Sequence, residues 1–509
     1  MSFFYVLLPN DSSDKTVACT ADLFYNVCVR KTAAAYYSAW KGVIKSMERR
    51  NVWLSYTEAE ELELEKIAKK YRDFLDAGKT ERECVQEIVK QAREAGYVSL
   101  EEKMADGGKI QAGDKIYDIG MKKIIALYHI GEDALEKGMN ILCAHIDSPR
   151  LDIKQNPLYE DTDLAYLDTH YYGGVKKYQW VALPLALHGV VVKKDGTVID
   201  VNIGEAEEDP VLYITDLLIH LSAKQLQKTA AEVVEGESLD ILIGSRPLKD
   251  LPDEKKKEAV KENILRILNE KYGMEEEDFL SAELEIVPAG KARECGLDRS
   301  MIAAYGHDDR VCAYPSFLAL LDAQAPKRTA CCLLVDKEEI GSVGATGMQS
   351  RFFENSVADL MEAMGCYSEM ALRRVLRSSS MLSSDVSAGY DPAFGECFER
   401  KNAAYLGRGV VFNKFTGARG KSGSNDANAE YVAKLRKIMD DNQVGFQTAE
   451  LGKVDVGGGG TIAYIAALYG MEVIDSGVAV LSMHAPWEVV SKADVYEAYK
   501  AYKAFLKDA

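Results

Sequence analysis

Glu338 and Glu339 leave the apolar run Cys331-Cys332-Leu333-Leu334-Val335 almost side by side. Adjacent residues leaving a strand tend to point to opposite sides. One carboxylate can then hold a metal ion while the other stays free to take a proton from a metal-activated water. A Glu-Glu pair alone is most often solvated surface. Here three further strand-like runs also end in His or Asp: His145-Ile146-Asp147, Ser383-Ser384-Asp385 and Met483-His484. In open α/β sheets, sites form outside the carboxyl ends of the strands. Four such ends can converge in one crevice.

Each member also has a plainer reading. His145 and Asp147 are two apart and share a face if the strand continues. Asp147 can then hold the far ring nitrogen of His145 while the near one binds metal; an isolated pair of this kind is otherwise a satisfied core histidine. Asp308, in His307-Asp308-Asp309-Arg310, precedes an apolar helix beginning near Cys312. A carboxylate there either caps the helix or bridges two metals with one oxygen on each. Asp385 opens a loop with Gly389 and Pro392 and could be a turn aspartate. His484 could be a buried histidine.

Taken together, His145, Asp308, Glu339, Asp385 and His484 offer nitrogen and oxygen ligands and no sulfur. That set suits Zn²⁺ and would accept Mn²⁺ or Co²⁺. Five ligands with one bridging carboxylate fit two metals about 3.5–4 Å apart, as in two-metal hydrolases. Glu338, unbound, would be the general base that carries the proton to the leaving amine. Two other segments carry weaker signals. The run Asp455 to Thr461 is glycine-rich and introduces a helix candidate, so its amides could meet an anion or a substrate carbonyl; as a bland alternative it is a flexible turn. It lacks the Gly-Lys-Ser/Thr of a P-loop. Lys414, Arg419 and Lys421 make a basic loop in an acidic chain. Neither a Gly-x-Ser-x-Gly elbow nor a His-Glu-x-x-His helix occurs.

The elements that must position these residues read as α/β. The chain has 509 residues, which predicts two or three domains. Thr57 to Phe74 and Thr80 to Ala95 read as helices, with Thr80 as N-cap and Gly96 at the C-terminus. Strand candidates follow at 123–128 and 140–145. From Met301 onward, helix candidates (312–323, 428–439, 461–468, 492–506) separate apolar strands (329–335, 409–412, 477–483). This alternation predicts a mixed, largely parallel central sheet flanked by helices. Between Asp147 and Asp308 no metal-ligand motif appears. Short β-type runs there (182–192, 197–203) precede a charged helical stretch (252–271). A mainly-β domain inserted at 156–294 is the expectation, splitting a catalytic domain of 1–155 and 295–509.

Net charge is −18 and the hydrophobic content 47%. The acidic balance argues against nucleic acid or an anionic membrane as partner, since both select basic surface. No apolar stretch reaches the roughly 18–20 residues of a membrane span, and the start, Met1 to Val6, lacks the charged region of a signal peptide. Ten cysteines without a Cys-x-x-Cys pair point to a reducing cytoplasm with free thiols; Cys331 and Cys332 read as buried small hydrophobes.

At these residues the chain resembles the aspartyl aminopeptidase family of di-zinc metallopeptidases. The resemblance rests on Ala144-His145-Ile146-Asp147-Ser148-Pro149-Arg150, Asp308-Asp309, Asp336-Lys337-Glu338-Glu339-Ile340-Gly341-Ser342, Ser384-Asp385 and Leu481-Ser482-Met483-His484, in that order. It implies a metalloaminopeptidase that removes the N-terminal residue of peptides. His145, Asp308 and Asp385 would hold one metal; Asp308, Glu339 and His484 the other; Glu338 would be the base. It further implies that the inserted domain dimerises and lends a histidine, His220, to a neighbouring subunit. The local pattern is Leu218-Ile219-His220-Leu221, which by itself reads as a packed helical segment. Large homo-oligomers, often dodecamers, are implied too. Asp309-Arg310 stands where the family usually has Asn-Leu, and the basic loop reads Lys414-Phe415-Thr416-Gly417-Ala418-Arg419 rather than Asn-Gln-Arg. That leaves acidic and apolar N-terminal residues both open as substrates. The rival readings are a deacylase or amidohydrolase on the same di-metal scaffold, and a non-catalytic shell with a structural metal.

Overall fold

A computed structural model describes residues 50–509, and Asn51–Ala509 pack as one unit. The expectations about the first residues, including the missing signal-peptide region, lie outside the described part. The helical start follows its caps. Thr57 and Glu60 form a capping box at the head of Glu58–Ala77, and Thr80 and Glu83 do the same for Glu81–Glu94. Each such cap is worth on the order of 1 kcal/mol. Gly96, at φ 87, follows the second helix.

The centre is a nine-stranded sheet. Its strands run, in spatial order, Val98–Ser99, Lys115–Gly120, Ile124–His129, Ala330–Val335, Asn140–His145, Ser380–Ser383, Glu472–Gly477, Val410–Asn413 and Phe446–Thr448. The middle four, from Ala330–Val335 to Glu472–Gly477, are parallel; antiparallel pairs flank them. The sheet is mixed, as its sequence pattern predicts.

Period-two alternation divides these strands between two cores. Leu142, Ala144, Cys332, Leu334, Leu382 and Ile474 face a layer containing Glu58–Ala77, Glu81–Glu94, His307–Leu321 and Lys492–Asp508. Ile141, Cys143, Cys331, Leu333, Met381 and Val473 face Phe352–Ala363 and Glu369–Ser378. Both faces are therefore dry, which is why these strands read as continuous apolar runs. The adjacent cysteines Cys331 and Cys332 are buried in opposite cores. The eight described cysteines are free thiols.

Two further sheets are found among the described residues. A seven-stranded antiparallel sheet is built from Arg150–Asp161, Leu164–Tyr172, Pro184–Val192, Val198–Ile203, Leu212–Tyr213, Ile241–Gly244 and Ala282–Pro288. It has its own core around Trp180, Leu187, Ile241 and Ile286. Its first strand runs straight through residue 156, where the sequence pattern places a boundary. A five-stranded sheet holds Arg293–Cys295, Met301–Ala304, Glu488–Ser491, Ala479–Leu481 and Ser387–Ala388. The strand expected over 477–483 is found as Ala479–Leu481, in the smaller sheet; Glu472–Gly477, just before it, is a separate strand of the central sheet that the sequence pattern did not predict. Among the described residues no helix is long and apolar enough to cross a membrane.

Candidate metal centre

Three strand ends lie together. Ala330–Val335, Asn140–His145 and Ser380–Ser383 are parallel neighbours, with Val335 opposite His145 and Ser383 opposite Cys143. Neighbouring strands are about 4.8 Å apart, so His145, the Glu338–Glu339 turn and Asp385 emerge within roughly 10 Å of one another. His484 and Asp308 arrive from elsewhere. Met301–Ala304 pairs with Glu488–Ser491, with Ala304 opposite Glu488. Past the end of Met301–Ala304, Gly306 (φ 74) turns the chain into His307–Leu321. A Cβ on Gly306 would lie 2.1 Å from an Arg310 nitrogen, so only glycine fits. His484 follows Ala479–Leu481 through a turn with Ser482 at φ 59 and is itself at φ 65. The expectation that all four polar clusters terminate strands of one sheet therefore holds for three; the fourth comes from the five-stranded sheet.

The Asp308 carboxylate spans the two halves. Its Oδ1 lies 3.1 Å from His145 Nε2 and its Oδ2 3.2 Å from His484 Nε2. Asp385 Oδ1 is 4.0 Å from His145 Nε2, and Glu339 Oε1 is 3.5 Å from His484 Nε2. His145 Nε2, Asp308 Oδ1 and Glu339 Oε1 are buried with no hydrogen-bond partner of acceptable geometry. Orphaned polar atoms of this kind demand an explanation, and a bound cation supplies one. Among the described residues two groups are tight enough to hold an ion: His145 with Asp308 and Glu339, and His145 with Glu338 and Asp385. The donor set fits zinc.

The Glu338–Glu339 pair does not behave as a strand exit. Lys337, at φ 67, turns the chain, and Glu338–Ile340 form one turn of 3₁₀ helix. Both carboxylates reach the cluster instead of facing opposite sides, and Glu338 sits as close to His145 and Asp385 as a ligand would. Asp147 holds this turn. Its Oδ1 accepts the Glu338 N–H at 3.1 Å, and its Oδ2 accepts the Glu339 N–H at 3.2 Å and the Tyr172 hydroxyl at 2.8 Å. His145 Nδ1 donates to the Asp147 backbone carbonyl at 3.0 Å, with the carboxylate at 3.3 Å. This fixes the tautomer and leaves Nε2 free to ligate. The sequence reading expects the side chain to do this; mainly the backbone does.

Other partners were silent in the sequence reading. Glu488 is fully buried and accepts the backbone N–H of Asp308 at 3.1 Å and of His484 at 2.7 Å. A carboxylate four residues after His484 in an otherwise apolar run was the available signal. Arg310, also buried, donates to the carbonyls of Ile146 at 3.2 Å and Lys79 at 3.0 Å, bracing the loop after His145. His484 Nδ1 donates to the Gly174 carbonyl at 3.0 Å.

Charge follows burial. Burial, then repulsion from Asp308 and Asp147, pushes the Glu338 carboxyl up to about 7 against the pull of the two histidines. Burial and neighbouring carboxylates likewise raise Glu339 and Asp385 well above the carboxylate range. Burial disfavours charge on His484, but Asp308 and Glu339 outweigh it and raise the ring to about 10.

His220 stands apart. It lies in a 3₁₀ turn, Ile219–Leu221, and is exposed, as are Leu218, Ile219 and Leu221. The expectation of a packed helical segment is overturned: these apolar side chains are exposed among the described residues. Neither ion-holding group includes His220. Lys414 and Arg419 are exposed. The helix after the glycine run spans only Ala463–Ala467, too short to supply the amide dipole expected of it.

The chain matches the family model described as aminopeptidase I zinc metalloprotease (M18) over residues 74–506. It is 58% identical over 461 residues to a probable M18 family aminopeptidase 1 of Clostridium acetobutylicum, covering 91% of this chain and 98% of the relative. The crystal structure of an M18 family aminopeptidase from Thermotoga maritima superposes with a TM-score of 0.86 at 45% identity, covering 91% of this chain and all of that one. A dodecamer of S. cerevisiae mApe1 shares the fold at a TM-score of 0.68 and 21% identity, over 86% of this chain and 96% of that one. The deacylase and shell alternatives give way to these likenesses, and the chain belongs to the M18 family of zinc aminopeptidases.

Proposed function

We propose that this aminopeptidase works through two divalent ions sharing Asp308, one held with His145 and Asp385 and the other with Glu339 and His484. The observation that carries the reading is the Asp308 carboxylate, with one oxygen 3.1 Å from His145 and the other 3.2 Å from His484. Zinc, or manganese or cobalt in its place, would polarise the scissile carbonyl and acidify a water. Glu338 would take the proton of the attacking water and pass it to the amine of the leaving peptide. Asp147 keeps Glu338 in reach by anchoring its backbone N–H. The exposed Lys414 and Arg419 would favour an acidic N-terminal side chain.

The segment 156–294, with the sheet that begins at Arg150, serves in this reading as an inserted dimerisation domain. Its exposed Leu218, Ile219 and Leu221 (53, 69 and 67% exposed) suit burial against a second copy, which would present His220 to the neighbour's site. A large homo-oligomer, a dodecamer as in the yeast relative, follows from the same surface. A reducing cytoplasm suits the free thiols.

Elemental analysis with a substrate panel tests the chemistry. Two ions per chain at saturation, with release of the first residue only from unblocked peptides, are expected. Saturation at one ion would reject the two-metal reading. Subunit mixing tests the lent histidine. Inactive His220→Ala and Glu338→Gln chains, co-assembled, should regain activity, because one supplies the base and the other the histidine; mixtures that stay inactive would reject it.

A further inference from the structure

Tyr172 and the two glycines that follow it, at the end of a strand of the seven-stranded sheet, lie against three different parts of the metal centre. Tyr172 ends the strand Leu164–Tyr172 and pairs with Arg150. The Arg150 guanidinium lies 3.9 Å from the Tyr172 ring centre, and the hydroxyl donates to Asp147 Oδ2 at 2.8 Å. Gly173 takes φ 74, and a Cβ there would lie 3.3 Å from Glu339 Cβ and 3.4 Å from its Oε2. At Gly174 a Cβ would lie 3.2 Å from His484 Nδ1, whose proton the Gly174 carbonyl accepts at 3.0 Å.

These contacts act on different coordinates of the site. The Asp147 carboxylate has three donors besides His145. Two of them are the amides of the turn that carries Glu338 and Glu339, at 3.1 and 3.2 Å. The hydroxyl bond is the shortest of the three, and it comes from a side chain clamped by Arg150. Removing it takes away the one donor that ties the carboxylate to the seven-stranded sheet, and so loosens its hold on the turn. Gly174 acts on the opposite side. A carbonyl can only accept, so the proton of a neutral His484 must sit on Nδ1, and Nε2 must present its lone pair toward Asp308 and Glu339. His484 is itself left-handed, two residues after the left-handed Ser482, and is a third exposed, so this bond helps to fix its ring direction.

We propose that Tyr172-Gly173-Gly174 is a positioning segment for the metal centre. Tyr172 fixes the Glu338–Glu339 turn through Asp147, Gly173 lets the backbone pass against Glu339, and Gly174 sets the tautomer of His484. The proposal rests on the two-metal reading above. It makes ion affinity depend on a sheet that contributes no ligand.

Tyr172→Phe removes the hydroxyl and keeps the ring under Arg150; Gly174→Ala crowds His484 and leaves Tyr172 intact; Tyr171→Phe, next door and exposed, is the control. Each is titrated with a chelator while retained metal is measured, the melting temperature is taken on metal-stripped protein, and kcat and KM are measured separately. Tyr172→Phe should fold and melt as wild type when stripped, bind metal about 10–100-fold more weakly, and lose kcat with little change in KM. Gly174→Ala should weaken one ion of the two, and Tyr171→Phe should match wild type throughout. The proposal is overturned if Tyr172→Phe and Gly174→Ala retain metal like wild type, or if metal loss only tracks a fall in the stripped protein's melting temperature. Wild type saturating below two ions would sink the two-metal reading itself, and this inference with it.

Discussion

Glu338→Gln is the sharpest perturbation of the proposed chemistry. Glutamine keeps the length of the side chain and much of its hydrogen bonding but cannot accept the proton. Burial and the nearby carboxylates hold the Glu338 carboxyl at about 7, against an ordinary 4.5. A carboxylate that is ionised near neutral pH yet basic enough to drive the transfer is what general-base catalysis requires, and losing one costs about 10²–10⁴-fold, or roughly 3–5 kcal/mol in barrier. Bound cations favour the ionised form and lower the pKa. The acid limb of kcat/KM in wild type should therefore lie between 4.5 and about 7. The base must be ionised to work, so activity falls as pH drops through that limb. In Glu338→Gln the limb should vanish and a flat residual rate remain. The assay is hydrolysis of an aminoacyl-p-nitroanilide from pH 5 to 9, with metal content and oligomer size measured on the same samples. A loss under tenfold with metal retained would refute the assignment. So would loss of metal with activity, because Glu338 would then be a ligand, as its place beside His145 and Asp385 permits.

Stripping the metal should invert the usual pH trend of stability. Glu338, Glu339 and Asp385 are raised by burial and neighbouring carboxylates, so the folded cluster binds protons the unfolded chain does not, and stability rises as pH falls from 8 to 6, by up to about 1.4 kcal/mol per pH unit for each proton; chelated protein that resists urea better at pH 8 would contradict this. His307 works in the other direction: burial drops it to about 3, with Nε2 donating to the Ile302 carbonyl and Nδ1 accepting from Tyr71. Its contribution is full above pH 6.5 and fades below, so the stability gap between wild type and His307→Gln should narrow by about 1 kcal/mol from pH 6 to pH 5, whereas a constant gap would count against it. Lys414→Ala and Arg419→Ala should each lower the ratio of Asp to Leu hydrolysis if these exposed cations read an acidic side chain; an unaltered ratio would end that idea.

Much of the site was legible in the sequence because its ligands follow strands that are apolar on both faces. His145, Glu339 and Asp385 break such runs, and a polar residue ending a dry strand is conspicuous. Asp308, the proposed bridge, was legible only through its place before an apolar helix. The partners were harder to see. Tyr172 sits in an alternating antiparallel strand where tyrosine needs no special reason, and Gly174 acts through its carbonyl, which every residue has. The 3₁₀ turn at Glu338–Ile340 was missed because it depends on Lys337 taking a left-handed conformation, to which lysine gives no cue. The strand Glu472–Gly477 was missed because its Glu472, Asp475 and Ser476 break the apolar pattern that marks the other central strands.

The distribution of ligands among the sheets explains why so many non-ligands are buried at this site. His145, Glu339 and Asp385 rise from neighbouring strands of one rigid sheet, whereas Asp308 and His484 come from a five-stranded sheet with its own twist. Nothing in either sheet fixes their mutual distance to the few tenths of an ångström that a shared carboxylate needs. Bonds that cross between the sheets must do so. Glu488 ties Asp308 to His484 through two backbone amides, Arg310 ties the Asp308 helix to the loop after His145, and the Ser148 hydroxyl donates to the Asp308 carbonyl at 2.7 Å. Asp147 and Gly174 bring in the third sheet. Buried charges such as Glu488 and Arg310 cost desolvation energy and are weak sources of stability. Their placement makes sense as geometry: each satisfies backbone groups on two elements at once, and apolar contact tolerates sliding where hydrogen bonds do not.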